Sequence, residues 1–228
     1  MTAYRRHAVY FSPPAGDPLA AFGAAWLGWD AEAGEARAHP AVPGLPMAVE
    51  AITETPRKYG LHGTLKPPMR LSGDEAAFEA ALAALAERTA PFEAPPLRLS
   101  RFGGFLALTP GGWSEPLADL AFACVRELDR FRAAPTEDEL AKRRAKGLTE
   151  RQEEMLSAWG YPYVGPEFRF HLTLTGWFET ATADAIREAL APHVAPFCEA
   201  PLAVEDVAWF GEAEDGRFHL VKRFPLKG

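Results

Sequence analysis

The sequence predicts an α+β fold built from two related halves, and three observations predict it. A short pattern occurs twice, as Leu61-His62-Gly63-Thr64-Leu65 and as Phe170-His171-Leu172-Thr173-Leu174. Each copy is followed by an amphipathic segment and then by an alternating strand that ends in a Phe-Gly pair, Phe102-Gly103 or Phe210-Gly211. The links between helix and strand are also alike, Ala90-Pro91-Phe92-Glu93-Ala94-Pro95 and Ala195-Pro196-Phe197-Cys198-Glu199-Ala200-Pro201. Self-similarity of this kind marks an internally duplicated unit. It implies a bilobal arrangement: two pseudo-symmetric antiparallel-sheet lobes, helices on the outside, and a central cleft between them.

The elements follow in order. Residues 7–11 are apolar and β-forming, and Ser12-Pro13-Pro14 ends that strand. Asp17 can cap a helix over 18–27, with Pro18 at its first position. Residues 30–46 are rich in Ala, Gly and Pro and read as a loop, and 49–55 as a short strand stopped by Pro56. The first motif strand spans about 57–66, where Pro67-Pro68 breaks it. Phe78, Leu82 and Leu85 recur at helical spacing within 75–88. Leu97–Phe102 and Phe105–Leu108 form a hairpin around Gly103-Gly104. From about 114 to 166 a helical insert separates the halves. It restarts at Pro135-Thr136 and again at Thr149, where Gln152 completes a capping box. The second motif strand spans about 167–178, a helix covers 182–193, and 201–210 with 217–224 are strands joined by a polar turn. The chain 1–228 is thus expected to be one bilobal domain carrying that insert.

Composition bounds the function. Apolar residues make up 48% and charged residues 24% of the chain, as in an ordinary soluble globular protein. No apolar run reaches the length of a membrane span. The N-terminus lacks the apolar stretch and cleavage site of a signal peptide, so a cytoplasmic protein without a membrane partner is expected. Cys124 and Cys198 lie in apolar surroundings without motif spacing and read as free thiols. The net charge of −7 argues against a large nucleic-acid footprint. It leaves room for a small phosphate site. The basic run Lys142-Arg143-Arg144-Ala145-Lys146 reads as a solvated helix face, and it is the feature that keeps a nucleic-acid contact in play.

The doubled pattern carries the chemistry. In a strand, residues i and i+2 share a face, so each copy sets an imidazole beside a hydroxyl. A single copy would be an ordinary structural His next to a β-forming Thr. Two copies within matching repeats place two imidazoles on opposite walls of one cleft. One can act as base and the other as acid in a single step. Hydroxyls beside them can hold the charge on non-bridging phosphoryl oxygens. By the same alternation Lys58 and Lys66 join His62 and Thr64, and Arg169 and Thr175 join His171 and Thr173. Lys66 and Arg169 are therefore candidate contacts to an anionic substrate. A His-based metal site is the rival, but it lacks carboxylate or Cys ligands at motif spacing, so no metal or cofactor is expected.

In their longer wording the motifs are Tyr59-Gly60-Leu61-His62-Gly63-Thr64-Leu65-Lys66-Pro67-Pro68 and Phe168-Arg169-Phe170-His171-Leu172-Thr173-Leu174-Thr175-Gly176. So written, the chain resembles the two-histidine (2H) phosphoesterase superfamily, which includes RNA 2′,3′-cyclic phosphodiesterases. It is most similar to a branch of bacterial proteins often encoded beside phosphonate-catabolism genes, and the opening Ala8-Val9-Tyr10-Phe11-Ser12-Pro13-Pro14 shares that similarity. The resemblance implies a bilobal fold and metal-independent acid–base chemistry on a phosphodiester. By position, His62 and His171 would be the acid/base pair, and Thr64 and Thr173 would hold the phosphoryl group. Which His is the base stays open. The branch implies a small phosphorylated substrate, a sugar cyclic phosphate of phosphonate catabolism. RNA or oligonucleotide 2′,3′-cyclic or 2′,5′ phosphodiesters are the alternative. A reading of another class is a non-catalytic nucleotide or sugar-phosphate binding protein that uses the same cleft.

Overall fold

A computed structural model describes residues 4–145 and 147–228, so Lys146 of the basic run lies outside the described residues. β1 (His7–Phe11) is buried along its whole length. α1 (Pro18–Leu27) starts where the Asp17 side chain accepts from the Leu19 amide and stops at Gly28, whose φ of 73° suits glycine. β2 (Trp29–Asp30) and β3 (Glu35–Ala36) form a small hairpin inside the expected loop.

The short strand expected over 49–55 is instead two helical turns, α2 (Val49–Ile52) and α3 (Glu54–Arg57). The buried Thr53 hydroxyl donates to the Val49 carbonyl and closes the first of them. Pro56 falls in the first turn of α3, where a missing N–H removes no hydrogen bond.

β4 (Gly63–Met69) begins after His62 and runs through Pro67-Pro68. It pairs with β1 through Tyr10↔Thr64, Val9↔Lys66 and His7↔Met69, with register shifts that insert extra residues on β4. Beyond Gly63 its other edge has no described strand partner, and on the β1 side the prolines fall at the register shift between Lys66 and Met69, two settings in which a strand tolerates proline. α4 (Glu75–Glu87) is capped by Asp74 and buries Phe78, Leu82 and Leu85. β5 (Phe92–Ala94) leads to the hairpin β6 (Leu97–Phe102) and β7 (Phe105–Pro110), which turns at Gly103 with φ 56°.

The insert is not uniform. α5 (Glu115–Leu128) packs against β4 and α4 and buries Leu117, Leu120, Cys124 and Leu128, so it belongs to the core. α6 (Glu137–Arg144) buries no residue and α7 (Glu150–Trp159) buries only Leu156. Both start with a full capping box, Thr136 with Glu139 and Thr149 with Gln152.

β8 (Leu172–Thr173) is much shorter than the strand expected over 167–178. The amides of Leu174 and Thr175 both bond the Leu106 carbonyl, which bends the chain away from the sheet. α8 (Thr180–Val194), β9 (Leu202–Val204), β10 (Asp206–Glu212) and β11 (Phe218–Pro225) complete the second half.

The main sheet has seven strands in the order β11-β10-β1-β4-β8-β7-β6. The two motif strands are neighbours at its centre and pair only through Gly63↔Leu172. The lobes are therefore two halves of one antiparallel sheet, and they have exchanged hairpins. The hairpin that follows the first motif, β6–β7, flanks the second motif strand. The hairpin that follows the second motif, β10–β11, joins the first through β1. The first link forms β5, which pairs with β9 just after the second link, Ala94 opposite Leu202 and Phe92 opposite Val204. Among the described residues no helix is long and apolar enough to cross a membrane, and both cysteines are free.

Candidate active site

The end of β4 and the start of β8 bring the two motifs to one cleft. His62 is half-buried beside Tyr10, with ring centroids 4.0 Å apart, and beside Tyr59 at 5.5 Å. Its Nδ1 lies 2.9 Å from the Gly60 carbonyl. Gly60 adopts φ 69°, and a Cβ there would press on Ala31, so glycine is what lets this carbonyl turn toward the ring. His171 repeats the device, with Nδ1 2.7 Å from the Arg169 carbonyl. A carbonyl only accepts, so in both rings Nδ1 carries the proton and Nε2 is left as the reactive nitrogen. His171 packs against the stacked pair Phe102 and Phe105, 5.7 Å from each ring.

Two adjoining cavities hold these groups. One, of about 300 Å³, is lined by His62, Thr64, Thr173, Tyr59, Tyr161 and Arg143 among others. The second, of about 420 Å³, is lined by His171, Thr64, Arg169 and an aromatic wall that includes Phe102, Phe105, Phe122 and Phe168. Thr64, Pro67 and Tyr161 line both. Burial lowers the pKa of His62 to about 4, helped by the charge His171 would carry and opposed by the Gly60 carbonyl. Burial also lowers His171, opposed by the Arg169 carbonyl. In the free protein both imidazoles are thus neutral at pH 7, and His171 is near enough for its charge to act on His62.

Of the six residues singled out in the sequence, five reach the cleft: His62, Thr64, His171, Thr173 and Arg169. Arg169 is exposed and donates through Nη1 to the carbonyls of Pro166 (3.0 Å) and Phe168 (2.7 Å). Lys66 does not reach it. The extra β4 residue between Thr64 and Lys66 breaks the alternation, so Lys66 turns into the core. It is 2% exposed and donates to the Val125 carbonyl at 3.1 Å, with Asp129 3.8 Å away. Thr175 is likewise buried, donating to the Gly176 carbonyl and accepting from the Leu106 amide.

Sequence reasoning missed Tyr10, Tyr59, Tyr161 and Arg143 as neighbours of His62. Arg143 comes from the basic run read as a solvated face, yet its guanidinium lies 4.8 Å from the centre of the Tyr161 ring. Only the distant pairing of α6 with the cleft makes that visible. Arg144 does lie on the solvated face and pairs with Glu153.

The position of Lys66 has a measurable consequence. Burial lowers its pKa to about 8, against a partial opposing pull from Asp129. Between pH 8 and the ordinary lysine value of 10.5 the unfolded chain binds more protons, so stability rises with pH. The gain is complete above 10.5 and gone as pH falls to about 8, and it amounts to about 3 kcal/mol at most. Lys66→Met is expected to abolish this alkaline gain in urea denaturation and to leave substrate KM unchanged. A raised KM with the pH dependence intact would return Lys66 to the site.

The sequence profile of the family described as "Protein of unknown function (DUF1045)" matches residues 64–219. Two curated relatives bear the name ribose 1,5-bisphosphate phosphokinase PhnN. The protein of Janthinobacterium sp. (strain Marseille) is 37% identical over 98% of this chain and 51% of its own length. That of Laribacter hongkongensis (strain HLHK9) is 36% identical over 92% of this chain and 49% of its own. The chain thus spans about half the length of the curated relatives it matches. Among solved structures, E. coli LigT complexed with 3′-AMP aligns with 99% of this chain and 100% of its own, at 18% identity and a TM-score of 0.45. A structure described as a phosphoesterase aligns with 99% and 100% at 17% identity and a TM-score of 0.44. With the family profile covering most of its length, the chain belongs to the DUF1045 family.

Proposed function

We propose that this protein is a two-histidine phosphoesterase that hydrolyses a small cyclic phosphodiester without a metal. One observation carries the reading: both His-x-Thr pairs open on one cleft, and both rings have Nδ1 tied to a backbone carbonyl, leaving Nε2 free. His62, whose pKa is lowered to about 4, is neutral and takes a proton from the attacking water through Nε2. The water oxygen bonds to phosphorus. The bond from phosphorus to one ring oxygen breaks, and His171, protonated on both nitrogens, gives its Nε2 proton to that oxygen. One proton leaves the water and one reaches the product, so the two imidazoles exchange roles and reset through solvent. Thr64 and Thr173 donate to the non-bridging oxygens as charge builds there. Among the described residues no carboxylate or thiol lines the His62 cavity and Glu167 is the one carboxylate lining the His171 cavity, a donor set that favours acid–base chemistry over a metal-bound water.

This scheme needs one proton that the free site lacks. A bound anion raises both imidazole pKa values, so binding draws in that proton. Sulfate, whose charge is constant over the range, is expected to bind more tightly as pH falls from 8 to 6. Calorimetry in buffers of different ionisation enthalpy should register proton uptake. Affinity independent of pH, with no uptake, would remove the assignment of His171 as a proton carried in with the anion.

The substrate reading draws on the relatives' name. This chain has no Gly-x-x-x-x-Gly-Lys-Ser/Thr phosphate loop, so we assign phosphotransfer to the other half of those longer proteins. Opening the cyclic ester of a ribose 5-phosphate 1,2-cyclic phosphate at the 2-oxygen yields ribose 1,5-bisphosphate, the compound in that name. A sugar cyclic phosphate is thus the favoured substrate. The aromatic wall beside His171 supports a second reading, a nucleoside 2′,3′-cyclic phosphate whose base stacks there. A screen of sugar and nucleoside cyclic phosphates in the presence of EDTA separates the cases. Turnover that survives the chelator supports the two-histidine reading, and chelator-sensitive turnover contradicts it. Binding without turnover supports a sensor.

A further inference from the structure

We propose that Arg143 binds a second anionic group of the substrate, so that the protein selects cyclic phosphodiesters carrying a further phosphate. The inference rests on the hydrolytic reading above and extends it to substrate class.

Charge in the cleft is the starting point. The chain carries a net charge of −7, yet the cavity that holds His62, Thr64 and Thr173 is lined by Arg6 and Arg143 and by no carboxylate. The two arginines are not equivalent. Arg6 is committed, since its Nε and Nη2 donate to the two carboxylate oxygens of Glu212 at 2.5 and 2.7 Å. That fork is closed, and its charge is balanced.

Among the described residues Arg143 has no ion pair and no hydrogen-bond acceptor, although its neighbour Arg144 has Glu153. The Arg143 side chain is half-buried, and its guanidinium rests near the Tyr161 ring, 4.8 Å from the centroid. A ring contact of this kind fixes the group in place without using its N–H donors. An oriented guanidinium that lines this cavity and has no described acceptor for its donors fits the bidentate geometry of a phosphate.

Placement then defines what the ligand must look like. Thr64 and Thr173, on the two motif strands, serve the scissile phosphoryl group, and Arg143, on the insert helix α6, lines the same cavity. One phosphoryl group held between the two His-x-Thr pairs leaves this guanidinium to a second group on the same small molecule. A monoanionic cyclic ester alone would leave the Arg143 charge uncompensated. A molecule bearing an additional phosphomonoester would compensate it. This also gives α6 a role: it carries one binding side chain to the cleft.

The test uses ribose 5-phosphate 1,2-cyclic phosphate and its counterpart lacking the 5-phosphate. The unmodified protein is expected to favour the phosphorylated compound in kcat/KM by about tenfold or more, the scale of a charge-assisted contact. Arg143→Met should bring that ratio close to one, mainly through a higher KM for the phosphorylated compound. Arg143→Lys should restore part of it. Equilibrium binding of ribose 1,5-bisphosphate and ribose 1-phosphate, measured by calorimetry on the same variants, gives a readout independent of turnover. No turnover, with a binding preference that disappears in Arg143→Met, would overturn the hydrolytic reading and keep the anion site. Turnover of both compounds with no preference, or a preference that Arg143→Met leaves unchanged, would overturn the anion site and keep the hydrolytic reading.

Discussion

His62→Ala and His171→Ala are each expected to lower turnover of a cyclic phosphodiester by about 10²–10⁴-fold, the usual contribution of a positioned acid or base, while the protein remains folded. Each ring is half-buried at the edge of the cleft and makes one hydrogen bond, to a backbone carbonyl two residues earlier. Truncation therefore opens the cleft without removing a core residue. The roles are coupled, because the proton that one ring accepts is matched by the proton the other gives. The double variant should then be little worse than either single variant, as for residues that act as a unit. Steady-state kinetics at saturating substrate, with thermal unfolding as the control for folding, reads both effects. Full turnover in either single variant would remove that residue from the mechanism.

Gly63→Val is expected to be the most damaging single change outside the two histidines. Gly63 stands between His62 and Thr64, and among the described residues it makes the only ladder pair between the two motif strands. A Cβ at this position would overlap the ring of Phe170, which is itself buried against Phe11 with centroids 5.7 Å apart. The strands must then separate or Phe170 must move. His171 follows Phe170 and His62 precedes Gly63, so either response shifts the imidazoles relative to each other. Overpacking of this kind costs about 1–3 kcal/mol of stability. Misplacement by about 1 Å at a reacting centre costs about 10²-fold in rate. Activity should therefore fall further than the loss of stability explains. Phe170→Leu, which shortens the obstructing side chain, should recover part of the loss in the double variant. Wild-type kinetics in Gly63→Val would show that the strand crossing does not set the distance between the two histidines.

What could be read from the sequence was mostly local. Asp17, Pro18 and Gly28 mark both ends of α1, and the Thr149–Gln152 capping box opens α7, because each depends on residues within a turn of one another. The duplication was legible in the repeated links, the first of which forms β5 and pairs with β9, the strand that follows the second. The exchange of hairpins was not, since no short-range signal says which half-sheet a hairpin joins. The motif strands were read too long for a related reason. No strong breaker ends the strand within 57–62 or just after 173, but neighbouring strands are available to pair only at 63–69 and 172–173. Lys66 shows how such an error spreads. Strict alternation sends it to the cleft, whereas the register shift against β1 sends it into the core, where the Val125 carbonyl receives it. The residues named for chemistry by the doubled motif itself, His62, Thr64, His171 and Thr173, do meet in space. The tyrosines around His62 and Arg143 on α6 reach the cleft by tertiary packing, which leaves no pattern along the chain.

The account is tested most directly by a crystal structure of the protein grown or soaked with inorganic phosphate. It predicts one phosphate with an oxygen within hydrogen-bonding distance of His62 Nε2, a second oxygen within that distance of His171 Nε2, and the hydroxyls of Thr64 and Thr173 on the remaining oxygens. A phosphate bound by only one His-x-Thr pair, or a cleft left without phosphate while the two Nε2 atoms face apart, would contradict the claim that the two motifs act on a single phosphoryl group.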